Sequence, residues 1–210
     1  MTEMETGRRK PAGEWMVRAA DPEKDAAACL EIYRPYVEKT AITFEYTVPS
    51  LEEFRGRMEH TMEHYPYLVI EKDGCTGGYA YVSPFVGRRA YERSVETSIY
   101  LAEGLRHQGL GRKLYAEMEW ILKEMGICNL YACIGVPREG EELSFLDNNS
   151  MDFHAKLGYH LVGRFHSCGY KFEHWLDMVW MEKMLREHPE HPAPIRTFPA
   201  LLSQRGTAWV

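Results

Sequence analysis

The feature that most narrows the fold lies between residues 94 and 136. This segment reads SVETSIYL, then a turn holding RHQGLG, then a periodic run, then NLYACIGV. Leu110, Leu114, Met118, Ile121, Leu122 and Met125 recur at helical spacing, which predicts an amphipathic helix from Gly109 to about Gly126. The runs on either side are rich in β-branched and aromatic residues and predict strands. A strand, a glycine turn, a helix and a second strand form a unit that is stable only as part of a larger sheet.

The rest of the chain supplies that sheet. WMVRAA reads as a first strand. Asp21 followed by Pro22 is a cap and first-turn pair that opens a helix, and Pro35 is expected to break that helix into two pieces. AITFEY reads as a short strand. Ser50 with Glu53 makes a capping box for a helix running to about His64. Two β-rich runs around Asp73-Gly74 form a hairpin. PREGEELSFLDNN is a polar loop, and SMDFHAKLGY is a short helix closed at Gly158. Strands at HLVGRFHS and WLDMVWMEKM complete the core. Residues 1–13 read as a loose arm, 14–187 as one domain, and 188–210 as a tail too rich in proline for regular structure. The class is α/β (α+β), a mixed sheet with helices on both faces.

Composition limits the function. The net charge of −6 over 210 residues argues against a broad nucleic-acid surface. No apolar run approaches the roughly 20 residues of a membrane span. The first residues, MTEMETGRRKPAGEW, lack a signal-peptide core, so a cytoplasmic location is expected. The five cysteines include no CxxC and are expected to be reduced, buried thiols. His60 and His64 stand four apart without an HExxH setting, and His160 and His166 have no matching cysteines, so no metal is expected.

The glycine turn invites three phosphate-binding readings. A P-loop fails because Leu110 stands where its lysine belongs. A dinucleotide fingerprint fails because Leu114 takes the place of its third glycine. What remains is Arg106-His107-Gln108-Gly109-Leu110-Gly111, between a strand and a helix N-terminus. Outward-pointing amides and the helix dipole there can hold a pyrophosphate. The same residues also fit a plain turn that only starts a helix.

In this setting the turn resembles the acetyl-CoA signature of the GNAT acetyltransferase superfamily, and FHAKLGY is similar to a second segment of that superfamily. ITFEY, YPYLV, GGYAYVSPF, AYERSVETSIYL and GYKFEHWLDMVWM resemble its phosphinothricin and methionine sulfone acetyltransferase group. The resemblance runs from about Met16 to Leu185. It implies a largely antiparallel central sheet in which two adjacent parallel strands, SVETSIYL and NLYACIGV, splay apart around a thioester. It implies acetyl-CoA as co-substrate, with pyrophosphate on the amides of His107, Gln108, Gly109, Leu110, Gly111 and Arg112. The pantetheine arm would lie along Ile99, Tyr100 and Leu101. The family's asparagine contact has no clear equivalent. Asp147 stands three residues before Ser150, the 138–147 loop is longer than the family's, and Asn148 or Asn149 is left for the role.

Acetyl transfer to an amine needs a base for the ammonium and can use an acid for the leaving thiolate. Glu96 is the best base. It lies inside a strand, where an acid is disfavoured, on the face shared by Ser98 and Tyr100, and it matches the family's proposed base. A solvated edge glutamate is the plainer alternative. His154 is the second candidate, either as acid towards the thiolate or as an acceptor ligand, although a lone histidine on a short helix is often structural. For the acceptor, the resemblance points to Phe44, Phe85, Arg88, Arg89 and Tyr91. The expected function is N-acetylation of a small-molecule amine, an amino acid or an analogue such as phosphinothricin, methionine sulfone or methionine sulfoximine. A protein or peptide N-acetyltransferase and a non-catalytic acyl-CoA sensor are the alternatives. A homodimer is expected, with WLDMVWM offering an apolar strand.

Overall fold

The computed structural model describes residues 13–205. Seven strands form one sheet: β1 (Met16–Ala19), β2 (Tyr67–Lys72), β3 (Cys75–Pro84), β4 (Ser94–Leu101), β5 (Asn129–Val136), β6 (His160–Lys171) and β7 (His174–Met184). Their spatial order is β1-β2-β3-β4-β5-β7-β6. Every neighbouring pair is antiparallel except β4–β5. That exception follows from the connection, because a helix returns the chain to the strand's starting edge.

Helices cover both faces. On one side lie α1 (Pro22–Lys39) and α2 (Leu51–Met62), which bury Tyr33, Tyr36, Phe54 and Met58 with Val69 and Tyr79 of the sheet. On the other lies α3 (Leu110–Met125), whose Leu114, Met118, Ile121 and Leu122 are buried as the periodicity predicts. The short α4 (Asn149–Lys156) and α5 (Phe198–Arg205) pack on that second side. The Asp21 carboxylate accepts from the Glu23 amide, and the Ser50 hydroxyl accepts from the Glu53 amide, so both expected caps form. Asp73 and Gly74 have φ of 51° and 79°, the two positive values that a tight hairpin turn requires. No helix is long and apolar enough to cross a membrane among the described residues.

Four expectations are corrected. Pro35 does not divide α1, which runs unbroken from Pro22 to Lys39. Tyr33, Tyr36 and Val37 are buried around it, and that packing outweighs one lost main-chain hydrogen bond. AITFEY is an irregular loop that joins no strand of the sheet. The loop is held instead by side-chain contacts, including the Tyr33 hydroxyl, which meets Thr43 Oγ1 at 2.7 Å. The proline-rich tail contains α5, whose Phe198 and Leu201 belong to the main core. Of the cysteines, all free, only Cys29 and Cys128 are buried, while Cys75, Cys133 and Cys168 are exposed. The expected arm falls mostly on residues 1–12, outside the described residues.

Candidate active site

β4 and β5 pair over only three rungs, Ser94 with Asn129, Val95 with Leu130, and Glu96 with Tyr131. Thr97 Oγ1 donates to the Tyr131 carbonyl at 3.1 Å and makes a last tie. Beyond it the strands separate. β4 remains paired with β3 throughout, and the Ala102 amide donates to the Gly77 carbonyl. By antiparallel alternation, Tyr100 is therefore bonded to Tyr79, while the main-chain groups of Ile99 and Leu101 face the gap. The expected run Ile99-Tyr100-Leu101 thus divides. Ile99 offers backbone to a ligand. Tyr100 does not, and its ring packs edge-on against Tyr33 and Tyr36. The Tyr36 hydroxyl donates to the Leu101 carbonyl at 2.7 Å and accepts from the Leu101 amide at 3.1 Å, so it engages both main-chain groups of Leu101.

The gap opens into a cleft of about 400 Å³. His107, Gly109, Leu110, Gly111 and Arg112 line it, as do Ile99, Leu101 and Asn149. Gly109 is the N-cap of α3 with φ of 79°, and a Cβ built there meets nothing within 4 Å. That glycine leaves room over the helix N-terminus where amides point outward. Gly111 serves differently. Its Cβ would stand 3.0 Å from Phe153 Cζ and 3.3 Å from Ile99 Cδ1, so its smallness lets α3 approach α4 and β4 rather than an anion. Gln108 turns its side-chain amide to the Gly104 carbonyl at 3.0 Å. Asn149 is tied by its own amide and side chain to Asp147. Asn148 is the N-cap position of α4, with no side-chain cap bond. Tyr36, Arg106, Phe153 and Lys156 also line the cleft, and the sequence reading missed them. Arg106 and Lys156 lie inside motifs already singled out. Tyr36 gives no signal beyond its place on a buried helix face.

A second cavity of about 60 Å³ follows along the splayed strands. It is lined by Thr97, Ser98, Cys133, Gly135 and His154, and it shares Ile42, Ile99 and Ser150 with the larger cleft. Glu96 does not line it, but stands on the last paired rung, next in the chain to Thr97 and two residues from Ser98, which do. Burial alone pushes its carboxyl above the usual carboxylate range. A base that is readily reprotonated and lies beside a small cavity suits proton removal from an amine.

His154 is 3 % exposed. Its Nδ1 lies 2.7 Å from the Ser150 carbonyl, so that nitrogen carries the proton. Nε2 then accepts from the Tyr115 hydroxyl at 3.0 Å. Burial holds the imidazole down to about 4, so the ring is neutral near pH 7 with both nitrogens occupied.

The acceptor candidates separate into two groups. Phe85 stacks on Tyr131 at 4.0 Å and stands edge-on to Trp180 at 5.4 Å and Tyr91 at 6.1 Å, which gathers aromatic rings beside Glu96. Phe44 lies across Gly135 and Gly169. Arg88 and Arg89 sit instead on an exposed loop, Arg89 facing Glu92 at 4.0 Å, and neither lines a cavity. Among the described residues, no group of three or more His, Cys, Asp or Glu side chains is placed to hold a metal ion.

A parallel pair that splays around a cavity, with an amide cradle at its mouth, defines an acyl-CoA-dependent acyltransferase. A family model described as an acetyltransferase (GNAT) domain matches residues 18–180. The chain is 30% identical over 172 residues to a phosphinothricin N-acetyltransferase of Streptomyces viridochromogenes, covering 82% of this chain and 88% of that one. It is 29% identical over 174 residues to an L-methionine sulfoximine/L-methionine sulfone acetyltransferase of Salmonella typhimurium, covering 82% and 95%. A crystal structure of a GNAT superfamily phosphinothricin acetyltransferase from Sinorhizobium meliloti in complex with acetyl-CoA aligns with TM-score 0.76 at 31% identity, covering 89% of this chain and 96% of that one. The chain belongs to the GNAT acetyltransferase family and is an acetyl-CoA-dependent N-acetyltransferase.

Proposed function

We propose that the chain acetylates the amino group of a small amino-acid analogue of the phosphinothricin and methionine sulfone type, with Glu96 as base. The observation that carries this is the desolvated Glu96 carboxylate at the closed end of the splayed strands, beside a cavity of about 60 Å³. Acetyl-CoA supplies the activated acetyl group. The amides from His107 to Arg112 hold its pyrophosphate, and the main chain at Ile99 meets its pantetheine arm, with Leu101 lining the cleft beside it. Glu96 takes one proton from the acceptor's ammonium, directly or through water, and that proton is the only one the chain must remove before attack. Phe44, Phe85 and Tyr91 form the acceptor walls, and Arg88 and Arg89 attract an anionic acceptor from the rim. His154 acts by fixing Tyr115 rather than as an acid, because a neutral ring with both nitrogens bonded has no proton to spare.

Two further readings accompany this one. The location is cytoplasmic, which five free cysteines support. The active form is a homodimer through the β7–β6 side, where Phe165 of β6 and Met184 of β7 are 53% and 50% exposed. The test is thiol release from acetyl-CoA with phosphinothricin, methionine sulfone, methionine sulfoximine and a basic peptide. Turnover of the peptide alone would replace this reading with a protein acetyltransferase. Acetyl-CoA binding with no turnover of any amine would replace it with a sensor.

A further inference from the structure

Lys171, the last residue of β6, is 2 % exposed. Its ammonium donates to the carbonyls of Val37, Thr40 and Thr43, each at 2.8 Å. An ammonium has three donors, and all three are used. A buried cation is costly unless fully hydrogen-bonded, so this arrangement holds only while all three carbonyls stay in place. Val37 and Thr40 lie at the C-terminal end of α1, where unpaired carbonyls and the helix dipole favour a cation. Thr43 lies in the irregular loop that follows. One side chain therefore joins the end of α1, the 40–46 loop and the β6–β7 hairpin.

That loop has no strand partner, yet it carries Ile42 and Phe44, the first lining both cavities and the second packed on Gly135, which lines the smaller one. Phe44 lies over Gly169, where an added Cβ would stand 2.4 Å from Phe44 Cε2, and over Gly135, where it would stand 3.0 Å from Phe44 Cε1. Gly135 is on β5, the splayed strand, and Gly169 is two residues before Lys171. The hairpin thus holds the loop's backbone through Lys171 and seats its ring on Gly169.

We infer that Lys171 is a positioning residue for acetyl transfer, locking the 40–46 loop so that Ile42 and Phe44 form the acceptor-side wall of the cavity. This rests on the reading that a small amine enters beside Phe44. The Lys171→Met variant keeps the aliphatic stem and removes the three donors. With methionine sulfone as acceptor, its KM for the amine should rise about 10- to 100-fold, while KM for acetyl-CoA stays within about twofold of wild type. Amide exchange in residues 40–47 should accelerate about tenfold or more, with residues 107–118 unchanged. Gly169→Ala leaves the ammonium in place but displaces the Phe44 ring, and it should give the same KM split. It also serves if Lys171→Met does not fold. Unchanged exchange in the loop, or both KM values rising together in a folded variant, would overturn the assignment. A wild-type enzyme inactive on methionine sulfone would instead count against the proposed acceptor, and loop exchange would then decide the role of Lys171.

Discussion

Replacing Glu96 by glutamine is the sharpest test of the chemistry. The side chain keeps its size and its place on the last rung between β4 and β5, but it can no longer take a proton. A positioned general base is worth about 10²- to 10⁴-fold in rate. At 1.36 kcal/mol per factor of ten, that is about 3 to 5 kcal/mol of barrier. Acetyl-CoA binding should survive, because Glu96 does not line the cleft that contains the Gly109 cradle. The loss should shrink as pH rises, since more of the acceptor is then already neutral. Stability should move the opposite way. Burial raises the folded pKa of Glu96 above its unfolded value, so this group's contribution to stability is fully present in acid and is lost as pH rises through the folded pKa. The glutamine side chain has no such ionisation, so Glu96→Gln should melt higher than wild type near pH 8, with the advantage fading below about pH 4. Thiol release between pH 6.5 and 9.5 and thermal melts across the acid range measure both effects. Wild-type turnover in the folded variant at neutral pH, within about threefold, would refute the assignment.

Gly109→Ala places a Cβ at φ of 79° over the cradle, costing about 1–2 kcal/mol of stability and weakening acetyl-CoA about tenfold or more by calorimetric titration. His154 is held at about 4, below its unfolded value, so its contribution to stability is present above about pH 6.5 and is lost as pH falls towards 4. The difference amounts to about 3 kcal/mol at pH 4, and His154→Phe should lose that part of the acid sensitivity in urea titrations. Phe198→Ala removes a ring that is 2 % exposed in the main core and should cost about 3–5 kcal/mol in urea unfolding, which a tail merely resting on the surface would not.

The site is legible in the sequence where it is built from local pattern. β4 and β5 can be read to the residue, because their alternation is bounded by turn residues on both sides. The α3 stripe and its closing Gly126 follow from spacing alone. Glu96 stands out as an acid inside an apolar strand. The acceptor wall is less legible. The family resemblance points to Phe44, but the 41–46 segment reads as a strand, since Ile, Thr, Phe and Tyr in close succession match strand composition whether or not a neighbour is free to pair. Lys171 gives no signal, because a lysine ending a strand normally faces water.

Some properties needed only the chain's own order of residues. These are the caps at Asp21 and Ser50, the hairpin at Asp73-Gly74, the helix beginning at Gly109, and an acid placed within β4. Each depends on φ preference, side-chain reach or periodicity over a few neighbours. Other properties depend on which distant groups meet, and only the tertiary structure decided them. Burial makes Glu96 a stronger base and leaves His154 neutral. Packing carries α1 through Pro35. Gly111 yields to Phe153 and Ile99 rather than to phosphate. Three carbonyls, 128 to 134 residues before Lys171 in the chain, surround its ammonium. Desolvation and close packing are set by everything within a few ångströms, and sequence distance carries no record of that.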